Sequence, residues 1–235
     1  MSVEVDELSV ELLDAERALH DDDLRYWGTR ARGKVLELGS GTGRLAALLR
    51  RQAVWYVGLE PSAAMLDRAR RNAPGVPFMR GDLRRFAARG LGAVFSLYGG
   101  LQALLSREDR ARCLACARES LVADGCVVLD LENHSPRAAA SAPRRLAREF
   151  DLGGKRFSRF ETIRREGGAV ELKWEWYHAG KPVAALTRRL AALDRRTLEM
   201  ELREAGFELF AIFGDWREGI FAERGPRMVV EAARV

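Results

Sequence analysis

Val35-Leu36-Glu37-Leu38-Gly39-Ser40-Gly41-Thr42-Gly43-Arg44 is the stretch that decides the fold. An apolar run entering a glycine cluster has the pattern of a buried parallel strand that ends in a tight turn. From Arg44 to Arg51 the apolar residues recur at helical spacing. Glycines between a strand and a helix let the backbone approach a ligand closely and aim free N–H groups at it. No Gly-Lys-Ser/Thr closes the turn, which excludes a phosphate-binding P-loop. The glycines stand at 39, 41 and 43, so the dinucleotide spacing G-x-G-x-x-G is not met either.

The alternation continues downstream. Strands are expected at 54–59, 76–79, 92–97 and 125–131, with a helix capped by Ser62 and running to Asn72, and another over 107–121. That order gives an α/β fold with a mostly parallel, Rossmann-like sheet covered by helices. The rhythm breaks after about residue 135. Residues 136–152, rich in Ala, Arg, Ser and Pro, read as a connection or an exposed helix. Phe160–Ile163 and Val170–Tyr177 alternate with period two around Gly167-Gly168, and a second turn falls at Ala179-Gly180. A small antiparallel β insertion over 136–190 follows from this. A helix near 195–205 and strands near 207–213 and 227–233 return to the core, which comprises 1–135 and 191–235. The amphipathic helix 8–19 is expected to form part of a lid.

Composition narrows the partners. The net charge is +5, and all the basic residues are Arg apart from Lys34, Lys155, Lys173 and Lys181. Many Arg residues are interleaved with Asp and Glu, as on a solvated surface rather than an anion-binding face. Cys113-x-x-Cys116 lies in a helical pattern with no second ligand pair at metal spacing, so buried helix positions are expected and no metal. No apolar run approaches a membrane span, and the acidic start is unlike a signal peptide. A cytoplasmic chain with no membrane partner is the expectation.

Two further motifs name a ligand class. Tyr56-Val57-Gly58-Leu59-Glu60 puts a carboxylate about 20 residues after the turn, where it accepts hydrogen bonds from both hydroxyls of a ribose. NAD sites share that feature, so Glu60 points to an adenosine. Met79-Arg80-Gly81-Asp82-Leu83 closes the third strand.

In order, these segments resemble the motifs of class I S-adenosylmethionine (SAM)-dependent methyltransferases. Glu37-x-Gly39-x-Gly41-x-Gly43 resembles motif I, whose acidic residue suits the ammonium of the SAM methionine. Pro61-Ser62-Ala63-Ala64-Met65-Leu66 resembles the segment opening the second helix, with Met65 on the adenine. Gly81-Asp82-Leu83 resembles the motif whose Asp receives the adenine amino group. The resemblance implies SAM as cofactor, S-adenosylhomocysteine (SAH) as product, and an antiparallel last strand. The implied cofactor residues are Glu37, Gly39, Ser40, Gly41, Gly43, Arg44, Glu60, Pro61, Met65, Gly81, Asp82, Leu83, Leu97 and Tyr98.

The [DN]-P-P-[YF] sequence of base-methylating enzymes is absent after the fourth strand, where Leu97-Tyr98-Gly99-Gly100 stands instead. Leu186-Thr187-Arg188-Arg189-Leu190, Leu198-Glu199, Ala205-Gly206-Phe207 and Phe213-Gly214-Asp215 resemble small-molecule methyltransferases of the aminosugar N-methyltransferase and glycine methyltransferase group. In-line methyl transfer to N or O of a small-molecule acceptor is therefore implied, with monomer or homodimer left open. His134, three residues beyond the fifth strand, is the candidate base, and Tyr98 is the second catalytic candidate. Tyr26, Trp27, His134 and Trp174 are the candidate substrate-pocket residues. Three other readings remain: a nucleic-acid methyltransferase, favoured only by the pI; a SAM-binding protein without catalysis; and an NAD-dependent oxidoreductase.

Overall fold

The computed structural model describes residues 6–17, 22–52, 55–133 and 141–235. Strands β1 (Lys34–Leu38), β2 (Trp55–Glu60), β3 (Phe78–Arg80), β4 (Leu91–Ser96) and β5 (Leu121–Glu132) form the parallel part of a seven-stranded sheet. β10 (Phe207–Phe213) and β11 (Arg227–Arg234) complete it in the order β10-β11-β5-β4-β1-β2-β3. β11 is antiparallel to both neighbours, as the resemblance implied. β1, β2 and β4 are buried almost throughout, which is why they read as continuous apolar runs rather than alternating ones.

Helices α2 (Asp22–Arg30), α3 (Ala46–Gln52), α4 (Ala63–Asn72), α5 (Arg107–Ser120) and α6 (Arg195–Glu204) accompany the sheet. Leu36, Val94, Leu129 and Val230 belong to one core; Val35, Phe95, Val128 and Val229 belong to the other. Adjacent residues on one strand thus feed opposite faces, and the sheet is covered on both sides. A buried pair, Arg110 and Glu201 (2.6 Å), ties α5 to α6, while Arg110 also donates to the carbonyls of Leu104 and Leu105. Cys113 lies in this core, and burial pushes its thiol up to about 12, whereas Cys116 is half-buried with its thiol 3.6 Å from the carbonyl of Arg84. The side chain of Asp194 caps α6 by accepting from the N–H of Thr197 at 2.8 Å. Asp194→Ala should cost about 1 kcal/mol in denaturant unfolding.

β6 (Ala142–Leu152), β7 (Lys155–Glu166), β8 (Ala169–His178) and β9 (Lys181–Ala191) form a separate antiparallel meander. Its turns, Gly153-Gly154, Gly167-Gly168 and Ala179-Gly180, all take positive φ, as tight hairpins require. β6 corrects the sequence expectation over 142–152; 136–140 lie outside the described residues. An Arg- and Ala-rich segment lacks strand propensity, but it pairs along its length with β7 as an edge strand, where charges are tolerated. Val170, Leu172, Trp174 and Trp176 on β8 alternate inward to the insertion's own core. Helix α1 (Glu7–Arg17) adds Leu12 and Leu13 to that core.

Candidate active site

The chain runs from β1 outward through β2 and β3, then returns to β4 on the other side of β1. Ligands of such sheets bind at this reversal, beyond the strand carboxyl ends. The turn after β1 and the segment after β4 wall one cavity there. Glu37, Gly39, Ser40 and Thr42 line it on one side, Leu97, Tyr98, Gly99 and Gly100 on the other, with Arg44, Glu60, Pro61, Leu83 and Arg188 between.

The turn is a closed wall rather than an anion cradle. Gly39 and Ser40 both donate to the carbonyl of Leu59, Gly43 donates to that of Ser40, and Gly41 donates to Glu60 Oε2. The expectation of free N–H groups is thus corrected at these four residues: the hydrogen bonds that shape the turn consume them. Gly43 has φ +69°, and a Cβ there would stand 2.8 Å from Phe78 and 2.9 Å from Ala69 Cβ. Only glycine lets the turn sit this close to α4.

Two buried carboxylates dominate the electrostatics. Glu60 is fixed by the N–H groups of Gly41 and Ser62, both at 2.9 Å. Glu37 accepts the hydroxyl of Tyr56 at 2.5 Å. Burial, and secondarily the charge of Glu60, push Glu37 up to about 8 against the lowering effect of Tyr56. A pyrophosphate would meet two buried acids and engaged N–H groups here. A cationic ammonium and a neutral ribose diol fit that donor and acceptor set.

Tyr98 is held from several sides. Its backbone is left-handed, φ +50°. Its N–H donates to Asp130, its carbonyl accepts from Arg188 at 2.7 Å, and its hydroxyl meets Arg44 at 2.5 Å. Arg188 also pairs with Glu132 at 2.8 Å. Sequence reasoning missed Arg188, although a signal existed: Leu186, Arg188 and Leu190 lie two apart on β9, and both leucines are buried. Asp130, buried at the end of β5, was likewise passed over.

Several candidates are placed elsewhere. Tyr26 and Trp27 are corrected: both are buried in a sheet core, where Tyr26 donates to Glu231 and Trp27 packs on Phe95. As large aromatics on the buried face of α2, they serve packing and do not line the cavity. Asp82 does not line the cavity either. Its carboxylate binds Arg84 at 2.6 Å and accepts the Arg84 N–H, which brings it down to about 2; its neighbour Leu83 provides the wall. Met65 leans on the insertion core rather than the cavity. Trp174 is buried behind Arg188, 5.5 Å from its guanidinium, and donates to Glu161. His134 lies outside the described residues.

Comparison with known proteins places this geometry. Residues 35–125, which hold the turn, Glu60 and Asp82, match the methyltransferase domain. The chain is similar to the glycopeptide N-methyltransferase MtfA, solved in complex with SAM: 28% identity, 91% of this chain, 93% of that one, TM-score 0.60. The chain carries a methyltransferase domain over residues 35–125 and is similar along nine-tenths of its length to a methyltransferase solved with SAM. The chain is also similar to an uncharacterized methyltransferase of Oceanobacillus iheyensis, 32% identical over 97 residues. That match spans 40% of this chain and 45% of the relative. A dTDP-3-amino-3,6-dideoxy-alpha-D-glucopyranose N,N-dimethyltransferase of Streptomyces fradiae is 27% identical, over 80% of this chain and 75% of that protein. Among the described residues of the chain, no helix is long and apolar enough to cross a membrane.

Proposed function

We propose that this chain transfers a methyl group from SAM to a nitrogen of a small-molecule acceptor of aminosugar type. The cofactor half rests on one observation, the pair of buried carboxylates Glu37 and Glu60 behind a turn whose N–H groups are engaged. The acceptor half rests on the chain's likeness to the N,N-dimethyltransferase of Streptomyces fradiae.

When bound, SAM supplies a methyl already activated on its sulfonium, so the protein's part is alignment. Glu37 would hold the methionine ammonium and Arg44 its carboxylate. Glu60 would orient the ribose, with Leu83 and Pro61 beside the adenine. Tyr98 and Arg188 close the opposite wall and keep water from the reacting atoms. In-line alignment of this kind is worth roughly 7–11 kcal/mol. His134 is the proton acceptor in this reading, receiving the proton from the acceptor nitrogen. His134→Ala should lower turnover about 10²-fold or more while SAH affinity stays near wild type; undiminished turnover removes His134 from the mechanism.

The decisive experiment incubates the protein with methyl-labelled SAM and a panel of amino sugars, the same sugars with a hydroxyl in place of the amine, and RNA. Label on the amino sugars alone supports the proposal. Label on RNA, or SAH binding with no transfer to any member, overturns it.

A further inference from the structure

The loop between β10 and β11 carries an aromatic residue that the mechanism above does not use. Trp216 meets the ring of Tyr98 edge-on, 5.8 Å between centroids and 72° between planes. The guanidinium of Arg227 lies over the other side of this pair, 3.9 Å from the Trp216 ring and 5.9 Å from that of Tyr98. Arg227 in turn pairs with Asp130, which also accepts the N–H of Tyr98 at 3.1 Å. The circuit closes on one buried carboxylate.

The loop itself is built to keep this place. Asp215 accepts the N–H groups of Arg217 (2.8 Å) and Gly219 (2.9 Å). Asn133, three residues beyond Asp130, donates to the carbonyls of Glu223 and Gly225 and takes the carbonyl of Pro226 on its N–H. The end of β5 thus fixes both the segment after β4 and the loop after β10.

We infer that Asp130 is a positioning residue that holds Tyr98 against the cofactor and, through Arg227, sets Trp216 as the outer wall of the same site. A left-handed backbone at a residue with a side chain is costly and persists only where its surroundings enforce it. Asp130 and Arg188, on the N–H and carbonyl of Tyr98, supply that enforcement. Cation–π contact with Arg227 fixes the indole plane.

Two measurements test this, and only the second rests on the proposed function. The first is near-ultraviolet circular dichroism without ligand. The band that Trp216→Phe removes from wild type reports an indole in a fixed place. It should collapse in Asp130→Ala and in Arg227→Gln, with far-ultraviolet spectra unchanged. A band of wild-type size in either folded variant overturns the inference. The second is calorimetry with SAH. Asp130→Ala should weaken binding by about tenfold or more, as for a lost hydrogen bond to a charged group. Asp130→Asn, whose amide oxygen still accepts the Tyr98 N–H, should recover most of it. Equal affinity of Asp130→Ala and wild type also overturns the inference. Should wild type bind no SAH, the methyltransferase reading fails, and the dichroism alone decides the role of Asp130. Should Asp130→Ala not fold, Asp130→Asn and Arg227→Gln carry the test.

Discussion

Glu60→Ala is expected to abolish SAH binding at micromolar concentration while leaving a folded chain. A carboxylate that receives both ribose hydroxyls contributes about 1.5–3 kcal/mol through each charge-assisted bond. Loss of both is worth roughly 3–6 kcal/mol, on the order of 10²–10⁴ in affinity. The same side chain also fixes Gly41 and Ser62, so alanine loosens the turn as well as removing the acceptors. Glu60→Gln keeps a neutral acceptor and should lie between the two. Burial at the end of β2 comes from Val57 and Leu59, which the substitution does not touch. Calorimetry with SAH beside a thermal melt separates the effects. A folded Glu60→Ala that binds SAH like wild type would remove Glu60 from the site.

The core was legible because parallel strands buried on both faces advertise themselves as apolar runs, and β1, β2, β4 and β5 all do so. The site was legible where chain-local chemistry builds it: the turn at 39–43 follows β1, Glu60 closes β2, and Leu83 lies three residues beyond β3. It was illegible where tertiary contact builds it. Asp82 reads as an adenine partner from its motif, but an arginine two residues on claims its carboxylate. Tyr26 and Trp27 read as a pocket wall, because amphipathic aromatics serve cores and clefts equally well. Arg188 and Trp216 reach the cavity region from the insertion and from the loop before β11, across sequence distances that no spacing rule spans. β6 was hidden for a related reason: an edge strand borrows its stability from its neighbour.

Helix α1 shows how these distant parts cohere. Leu12 and Leu13 belong to the insertion core. From the same helix, Asp14 accepts from Thr42 in the turn (2.7 Å) and from Asn72 (2.8 Å) and Arg68 (3.0 Å) on α4. Ser9 reaches the carbonyl of Ala185 on β9. One short helix thereby links the turn that walls the cavity to the antiparallel sheet of the insertion.

SAH affinity should rise as pH rises from about 6 to about 8, through Glu37. In the ligand-free protein, burial holds that carboxyl protonated up to about 8. Because folding raises this pKa, its contribution to stability is full below the ordinary carboxylate range and is lost as pH climbs through about 8. A ligand ammonium reverses the preference by stabilising the anion, so binding below that pH must expel a proton. Linkage then strengthens affinity by up to about tenfold per pH unit across that window. Glu37→Gln has no proton to release: its binding should be nearly flat with pH and weaker than wild type by roughly 3–5 kcal/mol, the cost of breaking a buried ion pair at one end. Calorimetry in two buffers of different ionisation enthalpy counts the proton directly. Proton uptake instead of release, or a pH profile unchanged in Glu37→Gln, would place the ammonium elsewhere and leave Glu37 as a structural partner of Tyr56.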